Sequence, residues 1–314
     1  MKRARPILFA VLAAVVLPAG AASFDCGKAA TRVEKAICAD PKLGQLDADI
    51  AAAYAAAGAG LDDAMRQRLK RSQREWLAHR HAGEHLADNL TARLAVLRAS
   101  RKTLGGLAFL DLASGGSRPM YLLTATAGTA DYERWADSVW DADAGENTLE
   151  EGDLEQAKCE AEAKRSGERD ECVVEGTEHV FRTSVPAPGF VSVQEWVSRD
   201  EHAAHPMNET HHASWWLARG RRLGAADLFA GDGWKAAIAQ AVRRDARKQG
   251  GDASKEAVDS VCEPDAWWLT ADGLVLEGDG ETFGRGRGQV EITVPWRELR
   301  GVMRPELAAA LGVR

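Results

Sequence analysis

Two cysteines twelve residues apart, Cys26 and Cys38, follow an export-like leader at once, and this pair constrains the chain more than any other feature. Lys2, Arg3 and Arg5 precede an apolar run from Ile7 to Leu17. Ala19, Gly20, Ala21 and Ala22 then supply the small residues of a signal-peptidase site, with cleavage expected near Ala22. The apolar run is short for a bilayer and no later stretch approaches the roughly 20 apolar residues of a spanning helix, so no stable membrane insertion is expected after cleavage. Ser23-Phe24-Asp25 lacks the small residue that precedes a lipidated cysteine, which predicts a free periplasmic or secreted protein.

In an oxidising compartment five cysteines read first as disulfides. Cys26/Cys38 and Cys159/Cys172 are the economical pairs. Cys262 is then left over; it is open to pairing with Cys159 or Cys172 instead, or to remaining a buried thiol. None forms a close CxxC pair, which argues against a structural zinc site.

The chain has 314 residues, 45% of them hydrophobic, enough for about two domains with sizeable cores. Its formal charge of −7 becomes −10 once Lys2, Arg3 and Arg5 leave. That sign disfavours nucleic acid and favours a basic protein partner.

Residues 23–103 predict a small antiparallel helical array. Thr31-Arg32-Val33-Glu34 fits a capping box opening a helix to about Cys38. Asp40-Pro41 supplies an N-cap and a first-turn proline, and Leu43, Leu46, Ile50, Ala53, Tyr54 and Ala57 recur at helical spacing. Leu69, Gln73, Trp76, Leu77 and Arg80 share a face of a third helix; Leu86, Leu90, Leu94 and Leu97 mark a fourth. Tyr54, Trp76 and Leu77 are expected chiefly as core.

Phe24-Asp25-Cys26, Lys28-Ala29, Glu34, Ile37-Cys38, Leu43, Leu46-Asp47, Tyr54, Gln73 and Trp76-Leu77 with Arg80 resemble the N-terminal domain of the LprI-type lysozyme inhibitors over about residues 24–98. The resemblance implies lysozyme as partner, c-type favoured, and Asp47, Tyr54, Gln73, Trp76 and Arg80 as family positions for binding. Members of that family usually carry two more cysteines after the arginine, where this chain has Gly83 and His85.

After Lys102 the helical period stops, and residues 104–314 predict an α+β domain. Gly105-Gly106 and Gly115-Gly116 punctuate extended runs such as Met120 to Thr126. Asp141 to Arg169 is charged and reads as a solvated helix or loop. Phe190 to Val197, Ser214 to Leu217, Leu274 to Leu276 and Val290 to Val294 read as strands of a largely antiparallel sheet. Trp234 to Lys248 is a helix whose Ala237, Ile238, Ala241 and Val242 cover one sheet face. Val191-Ser192, Ala204-His205-Pro206, Leu223, Asp227-Leu228-Phe229, Asp272 to Leu276, and Val294-Pro295-Trp296 with Leu299 resemble the extracellular domain shared by the RsiV anti-sigma factor and PdaC-type peptidoglycan deacetylases, over about residues 178–304. That resemblance implies a lysozyme receptor or a peptidoglycan-associated module, and marks His205 as a binding position.

His202, His205, His211 and His212, with Glu201 and Glu209, are the dense group of candidate metal ligands, but on a strand His211 and His212 point to opposite faces, so convergence is not expected. No serine lies in a Gly-x-Ser-x-Gly elbow. Gly284 to Gly288 sits between two strands rather than before a helix, which predicts a hairpin connection. Trp215-Trp216 and Trp267-Trp268 each send one ring to the core and one outward. The reading names no catalytic residue, cofactor or metal: a lysozyme-binding inhibitor, with a peptidoglycan-binding or stress-sensing module as the alternative.

Overall fold

The structure, a computed structural model, describes residues 22–80, 83, 85–124, 126–143, 159, 176–200, 207–285 and 288–313. They fall into two compact units. One comprises the described residues up to Ala59 with Gln73–Leu97, and the other Gly60–Ser72 with Arg98 onward.

The first unit is helical. Helix α1, Arg32–Ala39, opens with the complete capping box: Glu34 N donates to Thr31 Oγ1 at 3.1 Å, and Thr31 N donates to Glu34 Oε2 at 2.8 Å. Helix α2, Pro41–Gly58, starts with Asp40 accepting from Lys42 N at 2.7 Å and with proline at its first turn. Helices α3, Asp63–Ala78, and α4, Leu86–Arg98, follow, and the division between units runs through α3. Val33, Ile37, Ile50, Ala57, Leu86, Leu90, Leu94 and Leu97 are buried, as their spacing demands. Each leucine so covered contributes about 1.5–3 kcal/mol, which offsets the cost of ordering helices too short to persist alone. The Cys26–Cys38 disulfide ties the leading turn to the end of α1.

The second unit is α+β, and its strands form three antiparallel sheets rather than one. The first holds β1, Arg101–Leu104, β2, Leu107–Leu110, and β3, Tyr121–Leu122, the last much shorter than the expected Met120 to Thr126. Gly105 and Gly106 link β1 to β2 with φ of +52° and +82°, a two-residue turn that needs positive φ at both positions. Helix α5, Ala130–Asp143, follows. The largest sheet contains β4, Gly176–Ser184, β5, Phe190–Asp200, β6, Met207–Trp216, and β7, Arg221–Arg222, in that order. After α6, Ala225–Leu228, α7, Gly233–Lys248, and α8, Lys255–Ser260, come β8, Trp267–Leu269, β9, Gly273–Asp279, and β10, Gln289–Pro295, which make the third sheet. Short helices α9, Trp296–Leu299, and α10, Pro305–Ala310, close the chain.

Phe190–Gln194 of β5 and His212–Trp215 of β6 are buried on both faces, whereas Met207 and His211 of β6 are exposed. Val191, Val193, Ala213 and Trp215 pack with Phe109, Leu122 and Tyr132 on one side. On the other, Phe190 joins the core of Ile238, Val242, Leu274, Leu276 and Val294, and Ser192 Oγ accepts from Leu269 N at 3.0 Å. Trp215 and Trp267 are each 1% exposed, while Trp216 and Trp268 are half-buried. Cys159 is disulfide-bonded; the Cys172 half of the expected pair lies outside the described residues, as does most of the charged Asp141 to Arg169 segment. Cys262 is a free, half-buried thiol. Among the described residues no helix is long and apolar enough to cross a membrane.

Candidate functional site

The family positions of the helical unit gather around two groups, the Trp76 indole and the Arg93 guanidinium. Trp76 and Arg80 lie four residues apart, the spacing that makes helical neighbours, and the Arg80 guanidinium carbon stands 4.8 Å from the indole centroid. Arg93, from α4, sits 5.7 Å from the same ring, and its Nε donates to Gln73 Oε1 at 3.0 Å. The indole Nε1 donates to Asn89 Oδ1 at 2.9 Å. Burial pushes Arg93 down to about 10, against the fields of Tyr54 and Glu75, which favour its charged form. Arg80 is likewise held below its ordinary value by desolvation, with Asp47 and Glu34 opposing the shift. Asp47 is 7% exposed and accepts from Ser23 N at 2.8 Å and Ser23 Oγ at 2.6 Å.

Asp47, Tyr54, Gln73, Trp76 and Arg80 thus lie within one unit, Trp76 in contact with Arg80, Gln73 bonded to Arg93, and Asp47 and Tyr54 acting on Arg80 and Arg93 through their fields. His205 lies outside the described residues. Leu77, expected in the core, is 42% exposed, and its neighbours in that expectation, Tyr54 and Trp76, are half-buried. Arg93 and Asn89 complete the cluster without having been legible in the sequence: an arginine amid the leucine period of α4 looks like a solvated position, and its burial depends on Gln73 and Trp76 some twenty residues away.

The second unit contains a polar cleft of about 190 Å³ lined by Trp135, Glu195, His211, His212, Arg222 and Asp265. Glu195 Oε1 lies 2.9 Å from His179 Nδ1, and Arg222 donates to Asp265 Oδ1 at 3.0 Å and to the His212 carbonyl. His211 points outward and His212 inward, as strand alternation requires. Behind the cleft, His212 Nε2 is 2.8 Å from Glu277 Oε2, which also accepts from Gln194 at 2.5 Å. Among the described residues no group of three or more His, Cys, Asp or Glu side chains is placed to hold a metal ion.

Charge is divided unevenly along the chain. Residues 26–111 carry 14 Lys and Arg against 10 Asp and Glu, whereas residues 112–314 carry 23 against 36.

No curated protein matches the chain. Several solved structures are similar to it, two of them from the DUF3298 family. A crystal structure of a member of the DUF3298 family from Bacteroides fragilis shares 14% identity with a TM-score of 0.39, covering 58% of this chain and 71% of that one. A DUF3298 family protein from Pseudomonas aeruginosa PAO1 shares 16% identity with a TM-score of 0.33, covering 48% and 70%. Residues 26–111 match the family model described as lysozyme inhibitor LprI, which supports an LprI-type domain in the N-terminal segment and, at the level of that family, a lysozyme-inhibitor role.

Proposed function

We propose that this is an exported envelope protein that binds c-type lysozyme and inhibits it by covering the substrate cleft, without chemistry of its own. The observation that carries the reading is the LprI match over residues 26–111. The Cys26–Cys38 disulfide agrees with an oxidising compartment, and the basic, apolar and small-residue order of residues 1–22 agrees with export. In this reading Asp47, Tyr54, Gln73, Trp76 and Arg80 shape the binding face from within, Leu77 meets the partner, and His205 belongs to the second domain's contribution. Electrostatic attraction to a cationic lysozyme comes from the acidic residues 112–314, since the LprI-like segment is itself net basic.

The second domain is proposed to be RsiV/PdaC-like. A peptidoglycan-binding or stress-sensing role is the alternative, favoured by the polar cleft beside Trp135, where an aromatic ring and several hydrogen-bonding groups suit a saccharide. Calorimetric titration of the mature, oxidised protein against c-type lysozyme, beside a cell-wall lysis assay at two salt concentrations, separates the readings. Saturable binding with loss of lysis supports inhibition, and weakening in salt supports the electrostatic part. Binding without inhibition favours the sensor. No binding at high micromolar protein excludes c-type lysozyme and turns the search to peptidoglycan.

A further inference from the structure

Asp47 places a carboxylate in the middle of α2 where only 7% of the residue meets solvent. A buried carboxylate is costly unless donors satisfy it, and two of them, the N–H and the hydroxyl of Ser23, reach the same oxygen from the start of the described chain. The further charge acting on this group is Arg80, which Asp47 favours in its cationic form and on which Glu34 acts in the same sense. Immediately before Ser23 stands the run Ala19-Gly20-Ala21-Ala22, behind the basic and apolar leader.

We infer that the Ala22–Ser23 peptide bond is the processing site, and that Asp47 is the socket for the α-ammonium group which cleavage creates on Ser23. The step is a hydrolysis by a signal peptidase. Water adds across the amide, its oxygen going to the Ala22 carboxylate, and the released Ser23 amine takes up a proton, since an α-amino group is largely protonated at neutral pH. One neutral N–H facing Asp47 becomes an ammonium with three donors, so a hydrogen bond assisted by one charge becomes an ion pair of two in a partly buried setting. The atom that gains the charge already lies 2.8 Å from the carboxylate oxygen, so no rearrangement is required. The pair fastens the new chain end three residues before Cys26 and thereby holds the leading turn against α2.

The inference rests on the export part of the proposed function and not on lysozyme binding. Its test begins with the whole chain, leader included, expressed for export and analysed by intact mass and N-terminal sequencing. A mature chain beginning at Ser23 is expected. One beginning at another residue overturns the inference, and one retaining residues 1–22 overturns the export reading with it. Thermal unfolding of the Ser23-initiated protein is then compared with that of a chain retaining Ala22, in wild-type and Asp47→Asn backgrounds. The extra residue is expected to lower Tm by about 2–4 °C in the wild type and to leave Asp47→Asn unchanged. Acetylation of the Ser23 amine, which removes the charge and leaves α2 untouched, is expected to reproduce the wild-type loss. Equal shifts in both backgrounds, or no wild-type shift on extension or acetylation, overturn the socket. Lysozyme titration of the same samples reports separately on the inhibitor reading.

Discussion

Removing Glu277 is the sharpest test of how the second unit is held together. Both ring nitrogens of His212 face acceptors: Nδ1 is 2.8 Å from the Asp265 carbonyl oxygen and Nε2 is 2.8 Å from Glu277 Oε2. Both contacts tie the ring to acceptors on other segments of the unit. The two side chains are 1% and 5% exposed and join β6 to β9 across two sheets. Burial pushes the Glu277 carboxyl up, but hydrogen bonds from His212 and Gln194 outweigh it and hold the group below its ordinary 4.5. Removing one partner of such a buried, hydrogen-bonded pair costs about 3–5 kcal/mol, because the groups that faced it are left buried and unsatisfied. Glu277→Ala belongs at the upper end, since it strands the donors of both His212 and Gln194. Glu277→Gln keeps an oxygen that accepts from both donors and is expected to cost about 1–2 kcal/mol. At about 2–4 °C per kcal/mol, Glu277→Ala lowers Tm by roughly 6–20 °C. Urea unfolding at pH 7, followed through buried Trp215 and Trp267, provides the measurement. His212→Ala combined with Glu277→Ala is expected to cost less than the sum of the two by about 1.5 kcal/mol or more. Because the folded-state pKa of Glu277 is depressed, its contribution is full above pH 4.5 and is lost as pH falls through the folded value, so wild type and Glu277→Gln converge in acid. A loss under about 1 kcal/mol for Glu277→Ala, or strict additivity in the double variant, refutes the pair.

Replacing Cys26 and Cys38 together with serine is expected to cost about 3 kcal/mol, the closure entropy of a loop spanning 12 positions; hydrogen exchange should show the loss in α1 and α2, and a cost under about 1 kcal/mol contradicts it. Trp76→Ala removes the Asn89 hydrogen bond and two cation–π contacts and is expected to cost about 2–4 kcal/mol by denaturant unfolding. Leu77→Ala tests the proposed interface: the exposed 42% of a side chain worth about 1.5–3 kcal/mol when fully covered predicts roughly 3- to 9-fold weaker lysozyme binding in a calorimeter, and unchanged affinity places the contact elsewhere. Burial raises Glu133 to about 7 although Arg68 and the Leu122 N–H pull it down. Folding therefore favours its protonated form, and this group's contribution declines by on the order of 3 kcal/mol as pH rises from 4.5 to 7; Glu133→Gln should lack that slope in urea titrations run across the range.

The helical unit was readable because its signals are local. Thr31 and Glu34 cap α1, Asp40-Pro41 opens α2, and the leucines of α4 repeat within one helix, so each element announces itself over four to twelve residues. The strands β5, β9 and β10 and the helix α7 are visible for the same reason, whereas of β6 only Ser214–Trp216 falls within the expected Ser214 to Leu217. Their sorting into separate sheets was not, since pairing such as Val290 with Gly278 or Gln194 with His212 depends on register between distant segments. Helix α5 escaped notice because its charged residues look solvated. Glu133 and Asp137 are in fact paired with Arg68, and Asp137 and Asp141 with Arg71, about 65–70 residues earlier. Gln194, His212 and Glu277 likewise meet across separations of 65 and 83 residues that no period encodes. Leu77 was misplaced because helical spacing identifies a stripe, and it stands at the stripe's edge.

The leftover thiol of Cys262 bears on how an odd number of cysteines is handled during maturation. Thiol–disulfide exchange proceeds through the thiolate, and burial together with Asp259 and Glu263 raises the Cys262 pKa while Lys235 only partly offsets them. Little thiolate is therefore present at neutral pH, and the half-buried sulfur offers few angles of attack. Once the second unit has folded around it, this cysteine becomes a slow nucleophile toward the Cys26–Cys38 bond, so the native pairing is guarded by the rate of scrambling as well as by its equilibrium.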